Sequence, residues 1–76
     1  MRLAKIHWND AYSLPDDWHE LPLEPVGDRP MVTVGWVVQE TEWAYAIAHT
    51  YDSEENGCCG VIVLPKSMIT EVIILA

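Results

Sequence analysis

Cys58, Cys59 and His49 are the side chains here best suited to ligand chemistry, because thiolate sulfur and imidazole nitrogen together bind zinc tetrahedrally. Their spacing works against it. Adjacent residues of a strand point to opposite faces, so Cys58 and Cys59 do not converge on one ion. No C-x-x-C spacing is present either. The reading is one thiol turned to the core and one outward. Neighbouring cysteines also lack the reach of an ordinary disulfide, and two free thiols suit a reducing compartment.

Asp10, Asp16, Asp17 and Glu20 cluster around Trp18 and His19, where carboxylates perform acid–base work or hold a divalent cation. Their cheaper role is to complement the dipole of a short helical turn that opens at Ser13–Pro15. His7, His19 and His49 form no catalytic string. Lys66 stands between two apolar runs in VIVLPKSMITEV; it is read as a turn residue that also offers a cation to an anionic ligand or partner. No catalytic residue, metal site or cofactor is therefore expected, and the chain is not read as an enzyme.

Chemistry of any kind needs a frame, and 76 residues allow a small one. A chain of this length buries only about 60% of its unfolded surface, so association with copies of itself would add stability. Half the residues are apolar, and with no Phe the large rings come from four Trp and three Tyr. Twelve acidic against four basic residues leave a formal charge of −8. Such a charge repels phosphate backbones and anionic membrane surfaces over about 10 Å at ordinary salt. No apolar run approaches the ~20 residues of a membrane helix, and MRLAKIHWND lacks a signal-peptide core. The expected location is cytoplasmic.

The pattern along the chain is that of β structure. Ala4, Ile6 and Trp8 alternate with Leu3, Lys5 and His7. Asn9 to Leu21 reads as a turn or two of helix, and Pro22, Pro25, Gly27, Asp28 and Pro30 read as a loop. From Met31 to Gln39, Val32, Val34, Trp36 and Val38 share one face, with Gly35 marking a bulge or sharp bend. Beyond the polar turn Glu40–Glu42, the large residues Trp43, Tyr45, Ile47, His49 and Tyr51 alternate with small ones. DSEENG then forms a hairpin loop, Cys58 to Leu64 a fourth strand and Ile69 to Leu75 a fifth. Proline cannot donate to a sheet ladder, so the chain turns at Pro65-Lys66-Ser67. Trp8 and Trp18 bracket the Asp10–Ser13 segment and would pin it to the sheet. An exposed Trp would instead mark a protein contact.

Leu64 to Ile69, an apolar strand end followed by Pro65, Lys66, Ser67 and Met68, and the bent VTVGWVV at Val32 to Val38 resemble the signatures of Sm-like proteins. With IHWNDAYSLPDDW, the chain is also similar to short proteins of bacteriophages and their hosts. The resemblance implies a five-stranded, strongly bent SH3-type small barrel with a short N-terminal helical turn, occupying residues 1–76. It also implies assembly through strand edges. Gln39 to Ala44 lacks the Asp and Asn of RNA-binding members, and Pro65 stands where their basic residue is expected, so the nucleotide pocket is not implied.

The leading expectation is a non-enzymatic small-barrel protein of phage origin that forms a homo-oligomer and binds a host or phage protein. The oligomer interface is expected at Val72, Ile73, Ile74 and Leu75, whose two apolar faces both ask for cover. Partner or ligand contacts are expected at Trp36, Trp43 and Lys66. Two alternatives remain: an Sm-like RNA-binding ring, which the charge disfavours, and an acidic decoy for a nucleic-acid-binding surface.

Overall fold

The computed structural model describes Met1–Ala76. Five strands form one antiparallel sheet: β1 (Arg2–Asn9), β2 (Pro30–Glu40), β3 (Ala44–Asp52), β4 (Gly57–Pro65) and β5 (Ile69–Ile74). Their order is β4-β3-β2-β1-β5. The mainly β fold, the five strands and the break after Pro65 agree with the sequence reading. Closure does not follow: β4 and β5 are both edges, so the sheet is open.

Alternation in β1 puts Ala4, Ile6 and Trp8 on the buried face, where they stand opposite Gly35, Thr33 and Met31 of β2. Trp8 donates its indole N–H to Thr33 Oγ1 at 3.0 Å, which satisfies the one polar atom that this ring carries inward. The core then gathers Val37, Ile47 and Leu64, with Tyr45, Met68, Ile69 and Val72 packed around it. Neighbouring strands lie about 4.8 Å apart, so in a flat sheet β1 and β4 would be roughly 14 Å from each other. Ile6 and Leu64 nevertheless share one cluster, which requires the sheet to curl.

Gly35 allows that curl, though by a different device from a bulge. Its pairing with Ala4 is regular, and the register shift of β2 against β3 falls later, between Val37 and Gln39. A Cβ on Gly35 would stand 2.6 Å from both the Ala48 carbonyl oxygen and Ile47 Cγ2. Backbone meets backbone there, and only hydrogen fits. At the middle of β3 both Ile47 and Ala48 are buried, so the expected large and small faces are both covered.

β2 pairs with β3 only from Trp36 onward, and past Ala48 β3 has β4 as its sole partner. That distal ribbon has one covered flank at most, which is why Cys58 and Cys59 are both exposed rather than split between core and solvent. Its tip is closed by Asp52 Oδ1, which accepts from the N–H groups of Glu54 and Glu55, and by Asn56 at φ 52°.

The segment from Asp10 to Arg29 forms no helix, in contrast to the turn read from Ser13–Asp17; the only helical piece is a single 3-10 turn at Lys66–Met68. Pro15, Pro22 and Pro25 interrupt any longer run, and nothing packs on the segment to stabilise one. Nor does Trp18 pin it to the sheet: Trp8 lies in the core while Trp18 is 88% exposed. Gly35→Ala is expected to destabilise the protein by about 1–3 kcal/mol through overpacking. Urea denaturation checks this, and an unchanged midpoint would mean that β2 and β3 separate there without cost.

Candidate functional site

The turn between β4 and β5 meets the start of β1 and the end of β2, and Arg2, Glu40 and Lys66 come together there. Proline ends β4, and the Lys66 N–H donates to the Trp43 carbonyl at 2.7 Å, so the 3-10 turn is fastened to the start of β3. On the other side, Thr41 Oγ1 accepts from the N–H groups of Trp43 and Ala44 at 3.2 and 3.0 Å, which fixes the β2–β3 turn. Glu40 is thereby held between two cations, with Lys66 Nζ at 2.8 Å and Arg2 Nη2 at 3.1 Å. Lys66 also lies 5.1 Å from the centre of the Tyr45 ring, a cation–π distance.

The hydrogen bond from Lys66, followed by the one from Arg2, holds the Glu40 carboxyl below its ordinary value, against a smaller opposing effect of desolvation. The same bond to Glu40 raises the Lys66 ammonium above its ordinary value. Lys66 is thus paired with Glu40. The turn it occupies was legible from Pro65, but the pairing joins residues 26 positions apart and was not.

Of the other residues expected to make contacts, Trp43 is 76% exposed beside this network, whereas Trp36 is half-buried with its ring 6.1 Å from that of Tyr51. Val72 faces inward, and Ile73, Ile74 and Leu75 are exposed. β5 bonds to β1 along one side only, with the Leu75 N–H continuing the pairing to the Leu3 carbonyl at 2.8 Å. Its other side is open. β4 mirrors this on the opposite edge, where Val61, Ile62 and Val63 are all exposed. His49, Cys58 and Cys59 do not come together as ligands; the His49 ring instead fills the space above Gly60, at φ 68°, where a Cβ would stand. Trp18, at the tip of the Asp10–Arg29 excursion, is the exposed ring that the sequence reading assigned to packing.

The chain matches no protein-family model, and no curated protein and no solved structure is significantly similar to it.

Two opposite pH effects follow from the Arg2–Glu40–Lys66 network. A carboxyl whose folded value is lowered stabilises the fold above its unfolded value, near 4.5, and loses that contribution as pH falls through the folded value. An ammonium whose folded value is raised stabilises below 10.5 and loses its contribution as pH rises through the folded value. Glu40→Gln is therefore expected to lower Tm modestly at neutral pH, with the gap to wild type narrowing at both extremes. Thermal melts across pH test this; a gap independent of pH would show that the pairing contributes no electrostatic stability.

Proposed function

We propose that this chain is a non-enzymatic, Sm-like small-barrel protein of phage origin that assembles with copies of itself through its two open sheet edges and binds a protein partner. The carrying observation is the pair of apolar edges. Unpaired strand donors and acceptors beside exposed Val61, Ile62 and Val63 on β4, and Ile73, Ile74 and Leu75 on β5, form complementary sites for strand addition. Pairing β4 of one copy with β5 of the next continues the sheet and completes the curl that the single chain leaves open.

Surface area supports the same reading. The chain exposes 5887 Å², against about 4,700 Å² for a compact monomer of its 8.6 kDa mass. Its radius of gyration is 16.1 Å, where about 11 Å is usual for its length. A standard interface removes about 800 Å² per partner, so the surplus is of the size that association covers. Trp43, exposed beside the Glu40 network, is the contact offered to a different protein.

Host cytoplasm is the location this reading carries; no helix is long and apolar enough to cross a membrane. RNA is disfavoured by the −8 charge and by the engagement of Lys66 with Glu40. Light scattering on the wild-type chain is expected to give a discrete oligomer mass, and Val63→Lys with Ile74→Lys is expected to reduce it. A wild-type chain that scatters as a monomer at every concentration overturns the assembly. Titration with oligo-U at low salt should show no binding, and saturable binding there would favour an RNA-binding ring instead.

A further inference from the structure

The twenty residues Asp10–Arg29 are an arm with a fastened base and an uncovered tip. At the base the Asp10 N–H donates to the Arg29 carbonyl at 2.9 Å and the Tyr12 hydroxyl to the Gly27 carbonyl at 2.7 Å. The Arg29 guanidinium lies 5.8 Å from the centre of the Tyr12 ring. At the tip Trp18 and Leu21 are 88% and 85% exposed, the two most exposed large apolar side chains in the molecule. The arm holds six acidic residues and one arginine, and so carries five of the eight net negative charges. A long excursion without regular structure, held shut and tipped with exposed apolar groups, is a binding device more often than a connector.

The sheet carries a surface of matching chemistry. Lys5 lies on the face of β1 opposite Ala4 and Ile6, between its cross-strand partners Val34 of β2 and Ile73 of β5. Val32, Val34 and Ile73 are exposed around it, at 54, 53 and 37%. Arg2 and Lys66 are taken by Glu40, and Arg29 lies over Tyr12; Lys5 joins no ion pair. One acid shares the platform: Glu71, 4.0 Å from His7 at its margin. A cation ringed by valine and isoleucine complements a tryptophan and a leucine flanked by carboxylates, and this chain exposes one of each.

We propose that the arm docks on a second copy of this chain, Trp18 and Leu21 seating on its Val32, Val34 and Ile73 platform while Asp16, Asp17 and Glu20 face its Lys5. Each copy offers both surfaces, so a two-fold pair exchanges arms reciprocally. The platform shares Ile73 with the β5 edge but uses the side-chain face of the sheet and not the unpaired β4 and β5 backbone, so the arm and Lys5 variants test it separately from edge assembly.

Sedimentation equilibrium combined with Trp fluorescence tests the exchange. Trp18→Ser and Lys5→Glu are each expected to weaken self-association by about tenfold or more while circular dichroism stays native. Asp16→Lys with Asp17→Lys should do the same. Uniting these two with Lys5→Glu in one chain should restore association, because the charges are exchanged and not lost. The part of the emission that Trp18→Ser removes should shift to shorter wavelength as wild-type concentration rises. Association that Val63→Lys with Ile74→Lys abolishes, but that no arm or Lys5 variant alters, overturns the arm exchange and leaves the edges as the contact. A chain that stays monomeric overturns it as well, including one whose arm is bound by an unrelated basic protein.

Discussion

Burying Ile6, Ile47 and Leu64 against one another is the constraint on which the rest of this structure depends. They lie on β1, β3 and β4; β3 and β4 are neighbours, but a flat sheet would hold both away from β1, and all three side chains are almost wholly withdrawn from solvent. Each such side chain contributes about 1.5–3 kcal/mol when removed from water. That gain is available only if the sheet folds over, and folding over requires a residue without a side chain where β2 meets β3. Gly35 is that residue. The 3-10 turn after Pro65 then brings Met68, Ile69 and Val72 onto the same cluster and lays β5 beside β1.

A core of seven apolar side chains is little for 76 residues, and its economy explains the remainder of the molecule. Chain that cannot reach the cluster is left as a two-stranded ribbon, an arm and two bare edges. None of these has cover within the monomer. The charged network of Arg2, Glu40 and Lys66 works at the opposite end from the arm's origin, holding the turn that positions β5. It is a fastening on the surface, with Glu40 and Lys66 about a third exposed, and it adds to a geometry that apolar burial has already chosen.

The exposed apolar groups fall into sets of different geometry, with Ile73 common to the β5 edge and the platform around Lys5. Edge residues of β4 and β5 sit beside unpaired backbone, which favours strand addition. The platform around Lys5 and the tip around Trp18 offer side chains alone, which favours face-to-arm docking. Trp43 stands apart from both, near the Glu40 network. An open, curled sheet of this size leaves each of these apolar sets bare at a different place on its surface.

Local pattern by itself determined the strands: period-two alternation at Ala4, Ile6 and Trp8, Pro65 as a break, and Asn56 in a turn all act within a few residues, and each stands in the structure as its type requires. It also marked Val72, Ile73, Ile74 and Leu75 as a run apolar on both faces; the last three are exposed, whereas Val72 packs against the core. What only the tertiary structure decided was which neighbours those strands meet. Glu40 between Arg2 and Lys66, His49 over Gly60, both cysteines in solvent, Trp18 outside the core, and a curl that stops short of closure all depend on contacts between residues distant in the chain. Such contacts are set by how far a small core can pull the sheet around itself, a quantity that no local spacing encodes.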